Sequence, residues 1–215
     1  MRCCIFGAGD YRGEMLDKTE GALLLAADGG LLHTEHYRLT PHFIIGDFDS
    51  LGTLPKGANV IRHPVMKDET DMALAVEKGL EAGCDEFFLF GSLGGRLDHT
   101  LANMSLLLSL AQKGVCAYLV GEKCVITAMC GKKTLVFDGQ PSGTISLFAA
   151  GGKARGVTLK GLLYNLEKGT ITPDFALGVS NAFTERAATV SLDEGALYLM
   201  WERVDNPLPM QATQE

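Results

Sequence analysis

Phe43-Ile44-Ile45-Gly46-Asp47-Phe48-Asp49-Ser50 is a short apolar run that stops at a glycine and then delivers two carboxylates, two residues apart. The run reads as a strand. If the chain leaves it in extended geometry, Asp47 and Asp49 project on the same side while Phe48 turns the other way. Two like charges held so close repel, and one tends to take up a proton unless a cation sits between them. The pair therefore has two readings: turn residues that satisfy loop amides, or ligands of a metal.

Working outward, the same texture fills residues 1–121, where apolar runs at 2–6, 22–26, 43–45, 59–62, 87–90 and 115–120 alternate with helix-like stretches. That is the pattern of an α/β domain, a mostly parallel, Rossmann-like sheet covered by helices. Several runs end at glycine or aspartate, so polar residues gather at the carboxyl edge of the sheet, where ligands of open α/β folds bind. Met72, Val76 and Leu80, four apart, predict a helix over 70–82, with Asp68 or Thr70 as cap and Gly83 as stop. A second helix is expected over 98–113, with Leu101, Ser105 and Leu108 on one face, Leu107 beside them, and Gly114 at the end. Both helices start just after polar loops, so their N-terminal amides point toward one sheet edge, an arrangement suited to a polyphosphate.

From 122 to 204 the texture changes to brief β-rich segments at 125–129, 134–137, 143–148, 156–159, 187–192 and 196–201. They predict a second, all-β domain, a sandwich or flattened barrel. Residues 205–215, with Pro207 and Pro209, read as a mobile tail.

Composition narrows the function. The net charge of −7 argues against a large nucleic-acid-binding face and leaves room for a local phosphate pocket. No uninterrupted apolar run approaches the roughly 18 to 20 residues that span a bilayer, so no membrane partner is expected. The N-terminus passes straight into a strand without a secretory signal, and a cytoplasmic location is expected. The six cysteines include no Cys-x-x-Cys pair, which favours reduced core thiols over zinc or a disulfide framework.

Four further motifs fall on strand ends or helix starts. In Lys67-Asp68-Glu69-Thr70-Asp71, helix capping alone accounts for an acid, but a lysine beside three acids also suits a metal-nucleotide site: carboxylates for magnesium, ammonium for phosphate. Gly91-Ser92-Leu93-Gly94-Gly95-Arg96-Leu97-Asp98-His99 joins a strand to a helix, with glycines that let amides approach a phosphate and an arginine able to grip it bidentately. Its plain alternative is an N-cap at Asp98 followed by an ordinary polar face of His99 and Asn103. Ala27-Asp28-Gly29-Gly30 and the less informative Gly7-Ala8-Gly9-Asp10 are each readable as tight turns. Four polar strand ends on one edge fit a site for a magnesium-bound nucleotide better than turns alone.

Taken together and in order, the 27–30, 46–50, 67–71 and 94–99 motifs closely resemble those of thiamine pyrophosphokinase, and the resemblance continues through Gly178-Val179-Ser180-Asn181 and the 195–201 stretch. It implies magnesium-dependent transfer of the terminal pyrophosphoryl group from ATP to the hydroxyl of thiamine, giving thiamine diphosphate and AMP. It also implies a homodimer whose thiamine pocket is shared between subunits. By position, Asp47, Asp49 and Asp71 correspond to magnesium ligands, Asp98 to the group that orients or deprotonates the hydroxyl, and Lys67 and Arg96 to cations that neutralise the moving group. Asp28, Gly29, Gly30, Gly94 and Gly95 would hold ATP, and Ser180 and Asn181 the aminopyrimidine. Trp201 has two readings, a stacking platform for the thiazolium or core packing. Lysine at 67 stands where some members carry glutamine. Two other classes keep the same acids: an aspartate-dependent phosphohydrolase, in which the first Asp of the pair is a nucleophile, and a non-catalytic nucleotide or thiamine binder.

Overall fold

The computed structural model describes residues 1–46, 59–62, 69–139, 141–202 and 205–212. The chain divides into two compact units, Met1–Leu107 with Val115–Glu122, and Leu108–Gly114 with Lys123–Glu215.

The first unit is built on six strands: β1 (Arg2–Phe6), β2 (Leu23–Ala27), β3 (Phe43–Gly46), β4 (Asn59–Arg62), β5 (Glu86–Phe90) and β6 (Cys116–Val120). All pair in parallel, in the order β6-β5-β1-β2-β3-β4. The expected α/β class is therefore observed. Successive strands step outward on one side of β1 as far as β4, and the chain then returns to the other side of β1 with β5. The crevice at the carboxyl ends of β1 and β5 is thus the topological switch point, where an open α/β sheet binds its ligand.

Cys3 to Phe6 and Phe87 to Phe90 are completely buried, without the alternation of a half-exposed strand, because a parallel sheet is covered on both faces. Phe6 stacks on Phe90 at 4.9 Å and Phe88 on Tyr118 at 5.1 Å. Each such ring, fully buried, contributes about 1.5 to 3 kcal/mol relative to exposure. Burial also pushes the Cys4 thiol up to about 12, so it is a protonated core group at neutral pH. Cys3, Cys4 and Cys84 are buried as expected, whereas Cys116 is exposed, and no disulfide joins any of the six cysteines.

Among the described residues three helices accompany the sheet, α1 (Gly30–His36), α2 (Asp71–Glu81) and α3 (Leu97–Gln112), with one 3-10 turn at Leu16–Thr19. Thr70 caps α2, its Oγ1 accepting from Ala73 N at 3.2 Å, while Asp68, the other cap candidate, lies outside the described residues. On α3 the buried stripe is Asn103, Leu107, Leu110 and Ala111, whereas Leu101 and Ser105 are exposed. The face anticipated from sequence is therefore only partly the buried one. Leucines occur nearly all round this helix, so spacing alone does not single out a side.

The second unit holds two antiparallel sheets. One is β12-β9-β14-β7, formed by β7 (Val125–Cys130), β9 (Thr144–Ala149), β12 (Gly178–Ala182) and β14 (Ala196–Trp201). The other is β11-β10-β13-β8-β15, formed by β8 (Lys133–Phe137), β10 (Ala154–Lys160), β11 (Leu166–Ile171), β13 (Ala188–Leu192) and β15 (Met210–Gln211). Here burial alternates, as in β13, because each sheet keeps one face toward the core. Side chains of the two sheets meet where Phe137 of β8 packs edge-on against Trp201 of β14, ring centroids 5.3 Å apart. Met210 and Gln211, in the stretch expected to be a mobile tail, pair with Val136 and Leu135. Asn206 ties the same stretch down, donating to Ser142 O and accepting from Ser142 N.

Candidate active site

Beyond β1 and β5 the two chains continue side by side. Gly7 N donates to Phe90 O at 2.8 Å, Gly9 N to Gly91 O at 2.8 Å and Asp10 N to Leu93 O at 3.0 Å, so the switch-point crevice is floored by paired loops. Only glycine fits at 91, since its φ is +56° and a β-carbon there would strike the Gly7 carbonyl. The Gly7-Ala8-Gly9-Asp10 turn, which looked least informative in the sequence, therefore forms one wall of the site.

Above this floor lies a cavity of about 330 Å³. Asp28 enters it from the end of β2, Asp71 from the first turn of α2, and Gly94, Gly95 and Arg96 from the loop after β5. Three separate strand or helix ends thus bring predicted residues together. Asp28 holds a left-handed backbone, φ +46°, a conformation that aspartate tolerates better than most residues, and its N–H donates to Ile45 O at 2.8 Å. The amides of Gly94 and Gly95 make no hydrogen bond among the described residues, which leaves them open to an anion. An adjoining space of about 470 Å³ shares Ala8 and Gly9 and is bounded by Tyr11, His33 and the Arg12–Glu122 ion pair.

Arg96 and Asp98 form a bidentate pair, Nη2 to Oδ2 at 2.7 Å and Nε to Oδ1 at 3.2 Å, with both side chains exposed. The hydrogen bond from Arg96 holds the Asp98 carboxyl below the usual carboxylate range, and His99 N adds a third donor. Asp98 is consequently well suited to accept a hydrogen bond and poorly suited to keep a proton. Arg96 and His99 line the cavity while Asp98 does not.

Other predicted residues fall elsewhere. Gly29 caps α1 and borders the adjoining space, whereas Gly30 is buried where α1 passes so close to Phe6 O that a side chain would overlap it. Gly30 is thus a packing position. Ser180, at an irregularity in the β12–β9 pairing, is exposed with φ +58°, and Ser146 Oγ accepts its N–H at 3.1 Å. Asn181 is only 4% exposed, and its amide is occupied: Oδ1 accepts from Tyr164 N and Ala182 N, and Nδ2 donates to Tyr164 O. Rather than presenting its amide to a ligand, Asn181 fastens the Tyr164 turn. Trp201 is completely buried against Phe137, and of its two readings the core one matches its surroundings. Asp47, Asp49 and Lys67 lie outside the described residues.

Asp28 and Asp71 offer the hard oxygen donors that magnesium prefers, in a cavity also open to phosphate. Among the described residues no group of three metal-ligating side chains forms. Sequence reading missed Ser92, His99 and Asn103 as parts of this wall. The i, i+4 spacing of His99 and Asn103 was the available signal, and it was indistinguishable from a solvated helix face.

Comparison with known proteins adds an independent line. Residues 18–119 match the family model "Thiamin pyrophosphokinase, catalytic domain", and residues 134–197 match "Thiamin pyrophosphokinase, vitamin B1 binding domain". The chain is 27% identical over 187 residues to the thiamine pyrophosphokinase of Bacillus subtilis, spanning 84% of this chain and 87% of that protein. The crystal structure of thiamin pyrophosphokinase from Geobacillus thermodenitrificans superimposes with a TM-score of 0.81 at 27% identity, covering 94% of this chain and 97% of the other. Yeast thiamin pyrophosphokinase, 14% identical, has the same fold, with a TM-score of 0.76 over 95% of this chain and 87% of its own. Two models of one family, matched in order across most of the sequence, and a site at the switch point lead to one conclusion: the chain belongs to the thiamin pyrophosphokinase family.

Proposed function

We propose that the protein transfers the terminal pyrophosphoryl group of ATP to the hydroxyl of thiamine, with magnesium, giving thiamine diphosphate and AMP. The observation that carries this reading is the succession, in one chain, of a match to the catalytic domain and a match to the vitamin B1 binding domain. Neither the phosphohydrolase nor the binding-only alternative accounts for both.

In this reading the polyphosphate lies over Gly94 and Gly95 and against Arg96, and the adjoining space bordered by Tyr11 and His33 takes the nucleoside. Asp71, with Asp47 and Asp49, holds magnesium, which when bound neutralises the phosphoryl oxygens. The thiamine oxygen attacks the β-phosphorus in line as the bond from that phosphorus to the α-bridging oxygen breaks, AMP departs with the bridging oxygen, and the hydroxyl proton is released to solvent. Asp98 accepts a hydrogen bond from the hydroxyl and aims it. Its lowered basicity favours orientation over proton storage. Arg96 retains donors not used on Asp98, and these follow the charge as it moves to the leaving group. Lys67 adds a second cation.

Thiamine contacts are assigned to the second unit, with Ser180 exposed at its strand irregularity and Asn181 shaping the turn beside it. A homodimer is part of the reading, supported by apolar side chains exposed on this unit, among them Tyr164 and Phe175 at 65% each. A cytoplasmic location fits the cysteines, which form no disulfide. Incubation with magnesium-ATP, with and without thiamine, tests the proposal by resolving the nucleotide product. AMP formed only with thiamine is expected; ADP, or orthophosphate released without an acceptor, would overturn it.

A further inference from the structure

Asn103 lines the cavity although it is only 6% exposed, and it is the one buried amide there. Its Nδ2 donates to Ser92 O at 2.7 Å, which fixes how the amide is turned. Oδ1 then has no hydrogen-bond partner among the described residues. Trp201 Nε1 is the buried side-chain polar atom that lacks a partner among the described residues, so Asn103 Oδ1 is open to the cavity, and a ligand that shuts water out there leaves it unsatisfied, at a cost, unless it brings a donor. Arg96 and the open amides of Gly94 and Gly95 give the cavity an anion-attracting side, opposite in character to the carboxylates of Asp28 and Asp71. Ionised phosphoryl oxygens bring no hydrogen, so an oxygen acceptor among them would be repelled unless an O–H group accompanies the phosphate.

We propose that Asn103 Oδ1 accepts a hydrogen bond from an O–H group at the phosphoryl end of the bound ligand, supplied either by a water on the divalent cation or by the attacking alcohol, whose one hydrogen would then turn to Asn103 instead of Asp98. The inference rests on the pyrophosphoryl-transfer reading and adds a ligand-contacting residue to it. Asn103 thereby senses a neutral donor where Arg96 and the Gly94 and Gly95 amides sense charge and Asp71 the metal.

Two variants separate this role from the tie to Ser92. Asn103→Ala removes both the acceptor and the tie, whereas Asn103→Asp keeps an acceptor oxygen but cannot donate to the Ser92 carbonyl. Steady-state kinetics give the KM for thiamine, and calorimetry gives the magnesium concentration that half-saturates binding of a non-hydrolysable ATP analogue. In Asn103→Ala one of these should rise about tenfold, the loss of one good hydrogen bond. A rise in KM identifies the alcohol, and a rise in the magnesium requirement identifies the metal-bound water. Asn103→Asp should recover most of the loss. The proposal is overturned if Asn103→Asp is as impaired as Asn103→Ala, or if both variants lower only kcat and the unfolding midpoint. Wild-type protein that binds the magnesium analogue but yields no AMP with thiamine sinks the transferase reading instead, and the calorimetric arm then decides the role of Asn103.

Discussion

Asp98 shows how a single side chain can be legible in kind and not in state. Its position in Gly-Gly-Arg-x-Asp marked it as a polar residue of the site, but its partner and its acidity follow from the bidentate hold of Arg96. A carboxyl lowered in this way keeps the pair through neutral and mildly acid pH and loses it only as pH falls through the depressed midpoint. Carbon-detected titration should place the Asp98 midpoint below 3.8, and Arg96→Gln should move it up. An unmoved midpoint would show that the pair does not persist in solution. Asp71→Asn should lower turnover by about a hundredfold or more at fixed magnesium while the circular dichroism spectrum is retained. Full activity would remove Asp71 from the metal site. Gly91→Ala forces a β-carbon against the Gly7 carbonyl in a left-handed conformation, and we expect a loss of about 3 kcal/mol in urea unfolding. Resemblance to the family's Ser-Asn pair places Asn181 at the ligand, and the sequence leaves Trp201 between a stacking platform and core packing. Only their neighbours, the Tyr164 backbone and Phe137, reveal that they serve the fold.

At the scale of elements the sequence was most informative where apolar runs are short and end sharply. The strands at Arg2–Phe6 and Asn59–Arg62 are legible to the residue, β3, β5 and β6 differ by one residue at one end, and β2 is shifted by one at both. Elements with mixed composition were missed: α1, at seven residues, is too brief for periodicity to accumulate, and β11, Leu-Glu-Lys-Gly-Thr-Ile, is largely exposed and polar. A cap illustrates how an element positions chemistry. Thr70→Ala removes the acceptor for Ala73 N and should cost about 1 kcal/mol in urea unfolding. Because Asp71 is the next residue, turnover should fall with it, and unchanged kinetics would show that the carboxylate is held by something other than the first turn of α2.

For the whole molecule, the division into an α/β half and a β half was visible as a change of texture near Glu122, because parallel strands covered on both faces and sandwich strands covered on one differ in periodicity. What the chain could not announce was which apolar residues stay uncovered. Tyr164, Phe175 and Leu177 are exposed, and sedimentation should report a dimer that Phe175→Glu with Leu177→Glu shifts toward monomer. A wild-type monomer at micromolar concentration would remove the dimer from the reading. The single tryptophan, sealed in the second unit with its indole N–H unpartnered among the described residues, gives that unit its own optical signal. Its emission reports when the β half opens to water, whatever the α/β half is doing, so one cuvette can tell whether the two halves melt together or in turn.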